Sequence, residues 1–169
     1  MTIMVWLCAA LTLSLALYGT GHLLCVLVIA STRRQPQPEF GHPTTPISVL
    51  VPARDEGAAA VRALKSLMAQ DHAGPTEIIL LVKDDSDSAI PFLEQAFGAS
   101  DLRRRQGRVQ LVESGRHSVY VAFTGLDLKS DKVNWGASRV ETPLLAILDC
   151  DHQADPDWLR SSVCLLQDS

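Results

Sequence analysis

The chain has 169 residues, enough for one ordinary domain or for one small domain with an appendage. Hydrophobic residues make up 47% of it and charged residues 20%, which excludes a disordered chain and a collagen-like one. The net charge of −4 at pH 7 argues against bulk nucleic-acid binding, which needs a dense basic surface. All 15 basic and 19 acidic residues lie at or beyond Arg33, so an uncharged N-terminal segment precedes one of ordinary soluble composition.

The N-terminal segment has the length and composition of a membrane anchor. Residues 3–30 carry no charge and are rich in Leu, Val, Ile and Ala, and about 20 such residues in a helix cross a bilayer core. A signal peptide is the alternative, but it needs a basic start and a shorter apolar run. Arg33 and Arg34 follow the apolar end, and the positive-inside rule places that end in the cytosol. We predict a single-pass anchor at residues 1–34, with the body of the chain in the cytosol.

Residues 35–169 are predicted to form a spacer followed by an α/β domain. Residues 35–46 contain four prolines and no apolar period, which predicts a spacer before a domain at residues 47–169. Four short apolar runs are predicted to be strands: 47–51, 77–82, 109–112 and 144–148. Helices are predicted from Gly57, around 91–97, and from Pro156. Unbroken apolar strands separated by helices predict a mostly parallel sheet with helices on both faces.

Acidic residues follow three of the four predicted strands, at the edge where parallel sheets bind ligands. They are Asp55 and Glu56, then Asp84, Asp85 and Asp87, and finally Asp149 and Asp151. Carboxylates crowded at one edge repel one another unless a divalent cation and the donors of a ligand offset them. Oxygen ligands favour Mg²⁺ or Mn²⁺ over zinc, so the sequence predicts one of these two cations.

The pair of aspartates after the last strand is the sharpest signal. Asp149 and Asp151 are two apart in an extended stretch, so both can address one cation and the phosphates that it bridges. The alternative is that they cap a turn and that Asp155 caps the helix entered at Pro156. The earlier acidic residues have a similar alternative, as solvated turn residues or favourable charges at helix N-termini. The neighbouring His152 lacks a partner at metal-ligand spacing in the sequence.

The cysteines and the surroundings of the motifs argue against several other classes of protein. The four cysteines are scattered and form no C-x-x-C pair, so neither a structural zinc site nor a disulfide framework is expected. A haloacid-dehalogenase-type phosphatase also places D-x-D after a buried strand, but it needs Thr or Val where this chain has Gln153. No G-x-G-x-x-G follows a predicted strand, which disfavours a dinucleotide-binding domain.

Five segments in a characteristic order carry a resemblance to a known family. They are Ile47–Glu56, Leu67–His72, Glu77–Asp87, Lys132–Gly136 and Ala146–Leu159. In the same order, they are similar to a first strand with a P-x-x-N-E turn, the S-L-x-x-Q-x-Y end of a helix, an E-I-I-V-V-D-D strand, a lysine segment, and D-x-D-H with P-D-x-L. Residues 47–169 therefore resemble the nucleotide-sugar-binding half of a family 2 glycosyltransferase of GT-A fold.

The resemblance implies roles for the acidic edge. The uracil and ribose of a UDP-sugar would be held by Pro52, Ala53, Asp55, Glu56 and Asp84. Lys132 would approach the diphosphate, Asp149 would contact the ribose or sugar, and Asp149 and Asp151 would hold the metal. The implied reaction is an in-line displacement of UDP by an acceptor hydroxyl, with inversion at the sugar carbon.

Two subfamilies share features with the chain. Membrane polysaccharide synthases share the Asp-x-Asp-His spelling, and ceramide-glucosyltransferase-like enzymes share the anchor and the V-x-D-x-x-D-x-A spelling at Val82–Ala89. The acceptor implied is therefore a lipid or a polysaccharide. Family members continue into an acceptor-binding half that holds the general base, so we expect a fragment without a general base. The alternative function is a catalytically inactive, membrane-tethered module that binds a nucleotide sugar or has a regulatory role.

Overall fold

A computed structural model describes residues 2–32 and 41–167, which form two compact units, one in each range. The first unit is one helix, α1, at Thr2–Thr32. Its segment Leu11–Ile29 has a mean hydropathy of 1.8 and is long and apolar enough to cross a membrane, a test that signal sequences also pass. Arg33, Arg34 and residues 35–40 of the predicted spacer lie outside the described residues. The support for a membrane anchor is therefore the length and the apolar composition of α1.

The second unit is built on a five-stranded sheet. Its strands are β1 at Ile47–Pro52, β2 at Thr76–Val82, β3 at Arg108–Ser114, β4 at His117–Phe123 and β5 at Leu144–Ile147. They lie in the order β3-β4-β2-β1-β5. β1 is parallel to β2 and β5, and β2 is parallel to β4, whereas β3 is antiparallel to β4. The predicted mostly parallel sheet is confirmed.

Helices cover both faces of this sheet, as predicted. α2 at Ala58–Met68, α3 at Ile90–Phe97 and α5 at Trp158–Gln167 pack on one face, and α4 at Lys129–Ala137 packs on the other. The core side chains of α2 repeat at helical spacing: Ala60, Ala63, Leu64 and Leu67. A Cβ added at Gly136 of α4 would lie 2.9 Å from a Leu50 methyl, so α4 approaches the sheet closely. α4 therefore packs tightly against β1 and β2, on the face of the sheet opposite α2, α3 and α5.

The structure differs from the sequence prediction in four details: β4, α4, the start of α5 and the end of β5. Neither β4 nor α4 was predicted: α4 is rich in polar residues, whereas β4 contains an apolar run, Val119–Phe123, that was not assigned to a strand. The predicted strand at 109–112 is the antiparallel edge strand, and it joins β4 through a two-residue turn whose Gly115 has φ 58°. α5 begins at Trp158 rather than at Pro156, and β5 ends one residue earlier than predicted.

One buried glutamine fixes the loop between β5 and α5. The side-chain amide of Gln70 donates to the carbonyl oxygen of Asp155 at 2.7 Å, and its Oε1 accepts from the backbone N–H of Leu159 at 2.9 Å. The hydroxyl of Ser66 accepts from the N–H of Ala154 at 3.1 Å. These hydrogen bonds hold the C-terminal end of the loop against the end of α2. The turn at the N-terminal end of the loop, directly after β5, is therefore attached to a fixed segment.

Candidate functional site

The loops after β1 and β2 are hydrogen-bonded into one rim at the carboxyl edge of the sheet. The backbone N–H of Asp55 donates to Oδ2 of Asp87, and the N–H of Ser88 donates to Oδ1 of Asp55, both at 3.3 Å. The N–H of Gly57 donates to the Ser88 hydroxyl at 3.1 Å. Asp55 adopts a left-handed φ of 56°, which an aspartate tolerates better than most residues. The acidic groups after the first two strands thus belong to one structure.

Three cavities open at this edge: a first of about 280 Å³, a second of about 170 Å³, and a third of about 470 Å³ that lies beside Lys83, Asp84 and Asp85. The first cavity is lined by six of the predicted site residues: Pro52, Ala53, Glu56, Lys132, Asp149 and Asp151. The second cavity is lined by Asp55 and Asp84, and Lys132 lines both. The fold therefore brings all the predicted site residues to two adjoining cavities.

Lys132 occupies the boundary between the first and second cavities. It projects from α4, is 1% exposed, and donates from Nζ to the carbonyl oxygen of Ala53. Burial lowers the pKa of Lys132, while the carboxylates of Asp87 and Asp127 act in the opposite direction. An ammonium group inside a low-dielectric cavity interacts strongly with an anion, because little water screens it.

Asp127 is a site residue that the sequence interpretation missed. It lines both cavities and pairs with Lys83, its Oδ1 lying 2.8 Å from the ammonium nitrogen. The hydrogen bond and charge of Lys83 lower the pKa of Asp127, and those of Asp127 raise the pKa of Lys83. Asp127 lies in the loop after β4, so it went unnoticed because that strand was not recognised. Arg54, in the turn after β1, also lines both cavities.

Asp84 stands at the mouth of the second cavity as an ionised carboxylate. Its Oδ1 accepts from the hydroxyl of Ser86 at 2.5 Å and from the backbone N–H of the same residue at 2.9 Å. These two hydrogen bonds lower the pKa of Asp84. The local turn therefore presents a fixed anion to any donor groups of a bound ligand.

The turn after β5 gathers three groups that can hold a metal ion. Ligand atoms of Asp149, Asp151 and His152 all lie within 4.8 Å of one another. Nδ1 of His152 is 2.9 Å from Oδ1 of Asp151, so the expectation that this histidine has no partner at ligand spacing was wrong. Two carboxylates and an imidazole fit a divalent cation of the hard or borderline kind. Lys129, which the sequence interpretation also missed, pairs with Asp149.

Cys150, between the two aspartates, supplies no nucleophile. It lines the first cavity but is 3% exposed. Burial, helped by the nearby carboxylates of Glu56, Asp87 and Asp151, raises the pKa of its thiol to about 12. Since the thiolate is the reactive form of cysteine, this group stays neutral and inert near pH 7.

A comparison with protein families places this edge in context. The family described as glycosyltransferase like family 2 matches residues 43–169, a range that contains every cavity residue named above. A search of curated proteins found no match. The match indicates glycosyltransferase activity in general terms, with a nucleotide-sugar donor and an acceptor. The chain therefore belongs to the glycosyltransferase family 2-like proteins.

Proposed function

We propose that the chain is a membrane-anchored glycosyltransferase that binds a UDP-sugar in the two adjoining cavities, together with Mg²⁺ or Mn²⁺. The acceptor is a lipid or a polysaccharide, and the sugar carbon is inverted. The observation that carries the proposal is that Lys132, fully buried, lines both cavities between the Asp84 turn and the Asp149–Asp151 turn. One extended ligand with a nucleoside at one end and a diphosphate at the other fits such a pair of cavities.

The second cavity and the rim take the nucleoside in this proposal. Asp55 and Asp84 line that cavity, and their carboxylates accept hydrogen bonds from the uracil N–H and the ribose hydroxyls. Pro52, Ala53 and Glu56 line the first cavity and bound the path from the nucleoside to the phosphates. The rim hydrogen bonds between the loops keep these groups in place before the ligand arrives.

The first cavity takes the diphosphate and the sugar. Asp149 and Asp151, with His152 beside them, hold the cation, which when bound neutralises charge on the departing diphosphate. Lys132 directs its ammonium at the same phosphates from within the protein, where the interaction is strongest. An acceptor hydroxyl attacks the sugar carbon opposite the phosphate, the carbon–oxygen bond to UDP breaks, and a general base takes the hydroxyl proton.

The proposed organisation follows the sequence prediction. Residues 1–34 anchor the chain, residues 35–46 act as a spacer, and residues 47–169 form the donor-binding domain. The support is the length and hydropathy of Leu11–Ile29 together with the basic pair Arg33 and Arg34 after the apolar segment. By the same rule, the donor-binding domain faces the cytosol.

Calorimetric titration of UDP into the detergent-solubilised full chain tests this proposal. We expect binding heat that depends on Mn²⁺, and a fall in affinity of at least about ten-fold in Asp151→Asn. Asp101→Asn is the matched control, because Asp101 is an exposed aspartate whose left-handed φ of 62° suits asparagine, and it lines neither of the two cavities. Absence of heat for the wild type, or equal affinities in the two variants, contradicts the proposal.

A binding module without transferase activity is the second candidate. The observation in its favour is that β5 ends the sheet, with Leu145 and Ile147 41% and 47% exposed on the α4 side, next to the metal-ligand turn. Among residues 41–167, no element covers that apolar surface beside the proposed donor site. UDP release from UDP-sugars separates the two functions: a transferase releases UDP when an acceptor is added, whereas a binding module retains affinity without release.

A further inference from the structure

The first residue of α4 contacts the proposed metal site. The ammonium of Lys129 pairs with Oδ1 of Asp149, and the two side chains are 57% and 45% exposed. Asp149 is also one of the three residues whose ligand atoms lie within 4.8 Å of one another. The carboxylate of Asp149 can therefore pair either with the ammonium of Lys129 or with a cation from solution, and the two compete.

Electrostatics explains why an ammonium group is placed there. Asp149 and Asp151 are carboxylates held close together by the turn after β5, and two like charges at that separation repel each other. Lys129 supplies the compensating charge when no cation is bound. A divalent cation at the same carboxylates is repelled by that ammonium, so binding the cation requires the Lys129–Asp149 pair to open.

We propose that Lys129 is a positioning residue that acts as the counter-ion of the cation-free site, an inference that rests on the proposed metal site. Its ammonium holds Asp149 toward the first cavity and competes with the cation for that carboxylate. When the cation binds, the ammonium is released beside the same cavity, which Lys129 lines. The released charge then favours a diphosphate, so cation binding strengthens the binding of the nucleotide by linkage.

Titration of Mn²⁺ into the nucleotide-free full chain, followed by electron paramagnetic resonance of the free ion, tests this role. Lys129→Met is expected to bind Mn²⁺ about two- to five-fold more tightly than the wild type, the range expected for an exposed ion pair. Lys129→Arg keeps the ion pair and is expected to restore the wild-type affinity. Lys65→Met, on the exposed side of α2, removes the same charge away from the site and is expected to leave the affinity unchanged.

The remaining outcomes count against the inference in different ways. Equal Mn²⁺ affinities in Lys129→Met and Lys65→Met overturn the role of Lys129 and leave the metal site standing. Weaker binding in Lys129→Met also overturns it, because Lys129 would then assist the cation rather than compete with it. Absence of Mn²⁺ binding in every variant overturns the metal site of the proposed function, and the role of Lys129 with it.

Discussion

The two edges of one mostly parallel sheet are built in opposite ways. At the carboxyl edge, the loops after β1, β2, β4 and β5 bring charged side chains to two open cavities. At the amino edge, Thr76 of β2 pairs in register with His117 of β4, and the neighbouring loop packs tightly against them. The same strands therefore support one closely packed edge and one open edge lined with charged side chains.

The amino edge is closed by buried imidazoles and close backbone packing. Nε2 of the fully buried His72 donates to the carbonyl oxygen of Thr45 at 3.0 Å. A Cβ added at Gly74 would lie 2.4 Å from the carbonyl oxygen of Thr44, so only glycine fits there. Changes at this edge should alter stability, whereas changes at the carboxyl edge should alter binding.

The largest expected effect is at Gly74. Gly74→Ala places a methyl group against the rigid backbone of Thr44, and overpacking of this kind lowers the free energy of unfolding by about 3 kcal/mol. Chemical unfolding followed by tryptophan fluorescence measures it. Gly41→Ala is the control, since nothing lies within 4 Å of an added Cβ at Gly41. Equal stability of the two variants would show that the amino edge is not tightly closed.

The next effect separates binding from stability at the carboxyl edge. Lys132→Met keeps most of the buried volume but removes the ammonium, so UDP affinity in the presence of Mn²⁺ should fall about ten-fold or more. The free energy of unfolding should change little, because removal of a charge that burial disfavours is offset by loss of the hydrogen bond to the carbonyl oxygen of Ala53. Calorimetry and chemical unfolding measure the two quantities. A loss of stability with unchanged UDP affinity would reverse the assignment of this edge.

A smaller effect concerns acid stability of the amino edge. Burial, with the nearby charges of Arg116 and His72, lowers the pKa of His117 below its ordinary value of 6.5. The unfolded chain therefore binds more protons than the folded one as the pH falls below about 6.5. Stability is fully present above that pH and is lost as the pH falls through the lower, folded-state pKa.

Unfolding measured between pH 7.5 and 5 checks this sign. We expect His117→Gln to flatten the decline of stability with falling pH, because the titrating group is removed. His42→Gln is the matched control at an exposed position, and it should keep the wild-type slope. A steeper decline in His117→Gln than in the control would contradict the account.

The smallest effect is expected at Cys150. With a thiol pKa of about 12, only about one molecule in ten thousand carries the thiolate at pH 8. Alkylation of the folded chain should therefore leave Cys150 unmodified while Cys164, which is partly exposed, reacts. Mass spectrometry of the digested protein resolves the two sites. Equal rates at both would mean that the first cavity exposes the thiol.

The sequence was most informative where the sheet is buried on both faces. β1 and β2 are mostly apolar and buried, so both strands, and the acidic turns after them that carry Asp55 and Asp84, could be predicted. β4 begins with the polar residues His117 and Ser118 and continues as an apolar run, Val119–Phe123, to which the sequence prediction assigned no strand. Missing that strand also hid the loop after it, which carries Asp127.

Contacts between residues far apart in the sequence could not be predicted from sequence patterns. Lys129 contacts Asp149 across twenty positions, and Lys132 contacts the carbonyl of Ala53 across seventy-nine. Both contacts depend on how α4 lies across the sheet. No local propensity specifies that arrangement, because packing against Leu50 and Leu81 decides it. The motif positions could therefore be predicted, whereas their electrostatic partners could not.

The central claim is that the carboxyl edge, and not the amino edge, binds the metal and the nucleotide. Paramagnetic broadening by substoichiometric Mn²⁺ in the presence of UDP, recorded on the isotopically labelled full chain, tests it most directly. We predict that the amide signals of Ala53, Asp84, Lys132 and Asp151 broaden first, while those of Gly74 and His117 persist. Broadening that begins at Gly74 and His117, or that is equal at both edges, would contradict the claim.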